Sequence, residues 1–157
     1  MRMSGAFLIR CSACRATSRV PREKVQMGLE AICGRCRRPL IVDGRPRTVT
    51  DATFGADVER AASPVLLDAW ASWCWPCQMQ TLVIEEIAIE MAGRLRVGKL
   101  SVDESRSTAA RFDITSIPTL LMFDRGREID RVVGVRTKAE IVRWIERVLR
   151  ARSRAAS

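Results

Sequence analysis

The sequence predicts an α/β fold, a central mixed β-sheet with helices on both faces, preceded by a small zinc-ribbon-like segment with four cysteines. Short apolar runs alternate with helical periodicity from residue 51 onward. Four of the six cysteines lie before residue 37, in two Cys-x-x-Cys pairs. The length of 157 residues accommodates one well-buried domain and a small appendage, but not two full-sized cores. We therefore expect an N-terminal segment at 1–46 and a main domain at 47–157.

The first half of the main domain is predicted to run strand, helix, strand, helix. PVLLDAWA at 64–71 is typical of a buried strand and contains one charged residue, Asp68. LRVGKLSVD at 95–103 predicts the second strand, and STAARF at 107–112 a short helix. A long helix is expected from near Pro76, because apolar side chains recur at three- and four-residue spacing: Met79, Leu82, Val83, Ile87 and Met91. The polar stretch at 43–50 is interpreted as a linker.

The second half is predicted to be a hairpin and a closing helix. TLLMFD at 119–124 and REIDRVV at 127–133 are expected to pair antiparallel through a turn at Arg125 and Gly126. The closing helix is expected from about Lys138, with one apolar face made of Ile141, Trp144, Ile145, Val148 and Leu149. Together with the first half, this order predicts a mixed sheet covered on both faces.

The four early cysteines have the spacing of a metal site. Cys11 and Cys14 form one Cys-x-x-Cys pair, and Cys33 and Cys36 form the second after 18 intervening residues. Two such turns can direct four thiolates at one tetrahedral centre, which Zn²⁺ prefers. The segment has few apolar residues, so the metal would supply most of its folding free energy. Two disulfides are the alternative, and they are less favoured because nothing in the first ten residues resembles a secretory signal. We therefore expect a cytoplasmic protein with reduced thiols.

The basic charge is concentrated at the N-terminal end. Residues 1–46 contain ten Lys and Arg against three Asp and Glu, whereas the remainder contains 17 against 15. Such a surface can bind nucleic acid or another polyanion, but it is more often simply solvated. We therefore do not expect a nucleic-acid partner. No apolar run approaches the ~20 residues that cross a bilayer, so no membrane partner is expected either.

The remaining two cysteines stand in WASWCWPCQM, at the turn between the first strong strand and the long helix. A thiol at a helix N-terminus faces unpaired N–H groups and the positive end of the helix dipole, so Cys74 is the expected nucleophile. Cys77 lies within the first helical turn and can close a short disulfide with Cys74. A zinc half-site is the alternative, but the sequence has no histidine and no cysteine beyond residue 77. Cys-x-x-Cys beside a β-α pattern favours redox chemistry.

These motifs resemble a known family. LLDAWASWCWPCQM, GKLSVDE and ITSIPTLLMFDRG resemble thioredoxins, and the four-cysteine segment resembles the zinc-binding thioredoxin 2 type of bacteria. The resemblance covers roughly residues 8–150. It implies a thioredoxin fold, a structural Zn²⁺, no organic cofactor and the reduction of protein disulfides by a dithiol–disulfide cycle. It also implies a thioredoxin reductase that uses NADPH as the partner that recharges the thiols, in line with the lack of a dinucleotide-binding fingerprint in this chain.

The resemblance also implies roles for single residues. Cys74 would attack the substrate disulfide, Cys77 would resolve the mixed disulfide, Asp68 would assist proton removal from Cys77, and Lys99 would approach Asp68. A charged group inside a buried strand fits such a task independently. Further residues would contact the substrate, with the proline of the Ser-Ile-Pro-Thr motif expected to be cis: Trp73, Trp75, Pro76, Ile117, Pro118 and Gly134.

The sequence departs from the family between the two cysteines, where Trp75-Pro76 replaces the usual Gly-Pro. A bulky indole there would shield the sulfurs, narrow the substrate range or change the stability of the disulfide. Two other functions stay open at this point. In one, the basic N-terminal segment is a zinc-ribbon binding module and the redox pair is incidental. In the other, the protein is a thiol-switched chaperone that releases zinc on oxidation.

Overall fold

The computed structural model describes residues 5–11, 13–21, 23–24, 31–40 and 44–155. Two small antiparallel pairs of strands form the N-terminal segment. β1 (Ala6–Arg10) pairs with β2 (Thr17–Pro21), and β3 (Ala31–Ile32) pairs with β4 (Pro39–Leu40). The buried side chains of this segment are few, and they meet Ala92 of the main domain.

A five-stranded mixed sheet forms the main domain and confirms the predicted fold class. Its strands, in chain order, are β5 (Arg47–Val49), β6 (Val65–Trp70), β7 (Arg96–Ser101), β8 (Thr119–Asp124) and β9 (Arg127–Val133). Across the sheet the order is β5-β7-β6-β8-β9. β5, β7 and β6 are parallel, whereas β8 runs antiparallel to both β6 and β9. The turn between β8 and β9 contains Arg125 and Gly126 at φ +52° and +79°, as a tight hairpin requires.

Helices cover both faces of this sheet. The long helices α1 (Trp75–Glu90) and α3 (Lys138–Ala155) pack on one face. The other face is covered by a π-helical turn (Gly55–Glu59) and by residues that follow the short helix α2 (Arg106–Arg111). Among the described helices, none is both long and apolar enough to span a bilayer.

The alternation of side chains along β6 decides what lies beneath α1. Leu66 belongs to the core under α1 and α3, whereas Val65, Leu67 and Ala69 belong to the core on the opposite face. Because side chains alternate along a strand, Asp68 lies on the same face as Leu66. The first strong strand therefore carries its one charged residue toward the helix that bears the redox cysteines.

Two sequence expectations were wrong in detail. The predicted linker at 43–50 contains β5, which pairs with β7 and buries Val49, while residue 43 lies outside the described residues. The predicted apolar face of α1 is only partly confirmed: Ile87 and Met91 are buried, whereas Met79 and Leu82 are exposed and Gln80 is buried instead. The helix carries apolar residues on nearly every side, so their spacing did not identify the buried face. The predicted face of α3 is confirmed, with Leu149 only partly buried.

Candidate functional site

The central cysteine pair lies where β6 ends and α1 begins. Cys74 is the N-cap residue of α1, and Cys77 follows within the first turn; the two form a disulfide with a Cα–Cα distance of 5.3 Å. The backbone N–H of Cys77 donates to Cys74 Sγ at 3.2 Å. Pro76 occupies the first helical turn, where its missing N–H is not needed. Both sulfurs are nearly buried, so the site is a compact disulfide at the positive end of a helix dipole.

Asp68 is an unusually isolated carboxyl group. It is fully buried, and neither of its oxygens has a hydrogen-bond partner in the described part of the chain. Desolvation raises the pKa of Asp68 to about 7, and the positive charge of Lys99 partly offsets that rise. The carboxyl group therefore titrates near neutral pH, which suits a group that exchanges protons.

Lys99 reaches the same region from the neighbouring strand. It is paired with Asp68 in the register of β6 and β7. Its ammonium group donates to Thr81 Oγ1 at 3.3 Å and lies 4.8 Å from the centre of the Trp70 ring. The Thr81 hydroxyl in turn donates to the carbonyl oxygen of Cys77 at 3.0 Å. Polar contacts thus join Lys99 to the redox helix through Thr81.

A second wall of the site is formed by the loops before β8 and after β9. The Ile117–Pro118 peptide bond is cis, and Ile117 packs against the cysteine pair. The N–H of Gly134, which has φ +91°, donates to the carbonyl oxygen of Pro118 at 2.8 Å. Gln80 on α1 accepts a hydrogen bond from the backbone N–H of Arg136 at 3.0 Å. These two bonds fix the loop after β9 against both the proline loop and the redox helix.

Two tryptophans project into solvent beside the pair. Trp73 is 69% exposed and Trp75 is 68% exposed. The Trp73 indole N–H donates to Asp103 Oδ2 at 2.7 Å, which orients that ring. Large exposed aromatic side chains are enriched at interfaces, so the surface around the disulfide is suited to contact with another protein.

The four early cysteines form a separate cluster. The sulfurs of Cys11, Cys14, Cys33 and Cys36 all lie within 4.8 Å of one another, and none of the four is in a disulfide. Two of the sulfur pairs, Cys11 with Cys36 and Cys14 with Cys33, are 3.6 Å apart. Four sulfurs about 2.3 Å from a tetrahedral ion would be about 3.8 Å apart. The cluster could therefore hold a metal ion.

Backbone donors and charge repulsion both act on these thiols. The N–H groups of Cys36 and Arg35 lower the pKa of Cys33 to about 6, and the N–H groups of Cys14 and Ala13 lower the pKa of Cys11. The N–H of Arg38 also favours the Cys36 thiolate, but desolvation and the neighbouring sulfurs outweigh it and raise that pKa to about 11. A divalent cation would relieve this repulsion, so the donor set fits a metal.

Comparison with known proteins gives the family. The family model described as Thioredoxin matches residues 45–147, which is more than half of the chain. The chain belongs to the thioredoxin family. Over 101 residues it is 48% identical to the thioredoxin of Mycobacterium bovis, covering 64% of this chain and 87% of that protein. Over 101 residues it is 43% identical to the thioredoxin of a Synechocystis species, covering 64% of this chain and 94% of that one.

The bifunctional thioredoxin reductase/thioredoxin of Mycobacterium leprae is 46% identical over 101 residues, which is 64% of this chain and 22% of that protein. The family and the cysteine pair at the start of α1 make this chain a thiol–disulfide oxidoreductase of the thioredoxin type, with protein-disulfide reductase activity. The four-cysteine cluster fits the zinc-binding type of the family that the sequence indicated.

The structure brings most of the predicted site residues together at the start of α1. Cys74, Cys77, Ile117 and Trp70 share one small cluster, while Asp68 and Lys99 lie side by side on the sheet beneath α1. Trp73 directly precedes Cys74 in the sequence, and Trp75 and Pro76 lie between the two cysteines. A hydrogen bond joins Gly134 to Pro118. No sequence pattern indicated Thr81 or Gln80, because polar residues within a helix usually face solvent.

Proposed function

We propose that this thioredoxin reduces protein disulfides with Cys74 as the attacking thiolate and Cys77 as the resolving thiol. Cys74 Sγ attacks one sulfur of the substrate disulfide, forming a mixed disulfide and releasing the first substrate thiolate. Cys77 then loses its proton and attacks Cys74 Sγ, which releases the second substrate thiolate. The substrate gains two electrons, and the Cys74–Cys77 pair becomes the disulfide seen in the structure.

The observation that carries this proposal is the position of Cys74 at the N-cap of α1. A thiolate there accepts the N–H of Cys77 and meets the positive end of the helix dipole, which lowers the free energy of the charged form. Cys77 lies within the first turn and is 1% exposed, against 5% for Cys74 at the start of the helix, so we expect a large substrate to reach Cys74 first.

Asp68 is proposed as the group that receives the proton of Cys77, with Lys99 as its electrostatic partner. Its buried position and its pKa of about 7 support this role, because a base works best when its pKa is close to the working pH. The positive charge of Lys99 stabilises the ionised form of Asp68 in its apolar surroundings and so limits the rise of its pKa.

The substrate is proposed to bind as an extended segment across the disulfide. Its backbone would pair with Ile117 beside the cis Pro118, while Gly134 would border the groove. Trp73, Trp75 and Pro76 would contact the substrate on the other side of the disulfide. Because Trp75 is bulky and exposed, we expect it to exclude some substrates that a glycine there would admit.

The metal in the N-terminal cluster is proposed to be a structural Zn²⁺ held by Cys11, Cys14, Cys33 and Cys36. Four thiolate donors with tetrahedral spacing favour zinc, and a closed site leaves no open position for a substrate. Its thiols would have to stay reduced, which agrees with the proposed location in the cytoplasm.

A separate NADPH-dependent thioredoxin reductase is proposed to recharge the Cys74–Cys77 disulfide. The Mycobacterium leprae relative carries both names, thioredoxin reductase and thioredoxin, in one protein. The combination of the two names in one protein supports a partnership between a thioredoxin domain and a reductase.

Replacing single cysteines tests the proposed roles. Cys74→Ser should abolish insulin reduction, with a loss of at least about a thousandfold, and leave the metal content of the cluster unchanged. Cys77→Ser should instead trap a mixed disulfide with a substrate protein, detectable by mass spectrometry as a covalent adduct at Cys74. Retained activity in Cys74→Ser, or trapping at a residue other than Cys74, would contradict the assignment.

A further inference from the structure

We propose that Thr81 is a positioning residue of the redox cycle, whose hydroxyl group holds the Lys99 ammonium beside Asp68 and so sets the pH at which Cys77 can be deprotonated. The inference rests on the proposed proton-accepting role of Asp68. It adds a residue on α1 that neither the sequence motifs nor the cysteine chemistry indicated.

Thr81 links α1 to β7 through two hydrogen bonds. Its hydroxyl donates to the carbonyl oxygen of Cys77, one turn earlier on α1, at 3.0 Å. The direction of that bond leaves the oxygen lone pairs free to accept, and Lys99 Nζ donates to them at 3.3 Å. The hydroxyl is therefore oriented by the redox helix and presented to the ammonium group of β7.

The position of Lys99 matters because Asp68 has little else to stabilise its charge. Within the described residues no group donates a hydrogen bond to either Asp68 oxygen, and the residue opposite it on β8 is the apolar Leu120. Among the described residues, the charged group that acts on Asp68 is Lys99 on the adjacent strand, and the two cysteines of α1 do not titrate as a disulfide. The carboxylate thus depends on the distance to a single ammonium.

Lys99 has few other contacts that would hold it in place. Its ammonium nitrogen also lies 4.8 Å from the centre of the Trp70 ring. The face of an aromatic ring attracts a cation but does not fix its position as a hydrogen bond does. Glu85, one turn beyond Thr81, is exposed and forms no ion pair with Lys99 in the described structure. The ammonium is strongly hydrated and sits on a flexible stem. Without the Thr81 acceptor we expect it to move toward solvent.

The direction of the effect follows from this movement. As the ammonium moves away, the Asp68 carboxylate loses stabilisation and binds its proton more tightly. Deprotonation of Cys77 requires the carboxylate form, so the resolving step should need a higher pH. If the ammonium moves about 2 Å away from the carboxylate at an effective dielectric constant of about 20, the titration midpoint of Asp68 rises by roughly 0.5 pH unit.

The chain offers matched variants for the test. Thr81→Val has nearly the same shape without the hydroxyl, Thr81→Ser keeps the hydroxyl, and Thr81→Ala is a second hydroxyl-free variant if valine disturbs packing. The titration midpoint of the Asp68 carboxyl carbon is measured by ¹³C NMR in the oxidised full chain. In parallel, the pH profile is measured for single-turnover reduction of a peptide disulfide.

Thr81→Val and Thr81→Ala should raise the Asp68 midpoint by roughly 0.5 pH unit and slow turnover about threefold at pH 6.5, whereas Thr81→Ser should match the wild type. In a Lys99→Met background, Thr81→Val should produce no additional shift, since the ammonium is already absent. An unchanged or lowered midpoint in Thr81→Val, an equal shift in Thr81→Ser, or a shift that persists without Lys99 would overturn the proposal.

Asp68→Asn separates this inference from the function on which it rests. If Asp68→Asn leaves the pH profile of turnover unchanged, the proton-accepting role fails, while the NMR midpoints still report whether Thr81 positions Lys99. If Asp68→Asn changes the profile and Thr81→Val does not, the proton role stands and the role of Thr81 is refuted.

Discussion

The spacing Cys-x-x-Cys occurs twice in the N-terminal segment and once at the start of α1. The two regions differ in the backbone conformation that follows the second cysteine. After Cys14 and Cys36 the chain reverses direction, because the next residues, Arg15 and Arg37, both have φ +64°. The N–H of Cys11 then donates to the carbonyl oxygen of Ala16, and the N–H of Cys33 to that of Arg38. After Cys77 the chain instead continues as the helix α1. In all three motifs the N–H four residues after the first cysteine donates to that cysteine's carbonyl oxygen.

The motif alone therefore does not decide between metal and redox chemistry. In the N-terminal segment two reversing turns bring four sulfurs within 4.8 Å, a set that a cation can neutralise. At the start of α1, no third cysteine of the described residues joins the pair Cys74 and Cys77, and its stable product is a disulfide. A second pair opposite the first favours metal, and a following helix favours a reactive thiolate.

Removing one ligand of the N-terminal cluster should give the largest effect and tests whether the two regions are chemically separate. Cys33→Ser should abolish metal binding and unfold the small strand pairs, since a structural zinc site supplies on the order of 10 kcal/mol in such segments. Metal content and hydrogen exchange in residues 5–40 measure the loss. Insulin reduction should stay within about twofold of wild type. Inactivity comparable to Cys74→Ser would show that the regions are coupled.

The next largest effect is expected from Asp68, which has no counterpart in the cluster. Its folded pKa of about 7 exceeds the ordinary 3.8, so the folded state holds this proton more tightly and stability falls as the pH rises between those values. Asp68→Asn should therefore raise the free energy of unfolding by about 4 kcal/mol at pH 8 and by little at pH 4. Urea unfolding of the oxidised protein at both pH values measures this. Equal effects at the two pH values would exclude ionisation as the cause.

The smallest effect is expected from the backbone of the reversing turns. A left-handed conformation costs a residue with a side chain about 1 kcal/mol more than glycine. Arg37→Gly should therefore strengthen metal binding a few-fold, measured by chelator competition, and leave disulfide reduction unchanged. Arg35 is the control, because its φ is not positive, and Arg35→Gly should weaken binding slightly. Weaker binding in Arg37→Gly would show that the guanidinium itself stabilises the turn.

Most of the sheet could be predicted from the sequence because four strands and α3 have strong apolar patterns. β5 could not, since it has three residues and buries only Val49, the other two being exposed. The inward position of Gln80 on α1 was also beyond prediction, because its partner Arg136 lies 56 residues away in the chain. The contact of Thr81 with Lys99 likewise depends on how α1 packs on β7. The cysteine spacing predicted both sulfur sites, but the arrangement around Asp68 depends on strand register and helix packing.

The placement of the tryptophans gives the protein its own optical reporter. The chain has four tryptophans and no tyrosine, so its ultraviolet emission comes almost entirely from indole. Three of them, Trp70, Trp73 and Trp75, flank the disulfide, while Trp144 lies on α3 and is hydrogen-bonded to Asp130. We therefore expect the emission to differ between the dithiol and the disulfide, so that the redox state of the pair can be followed without an added dye.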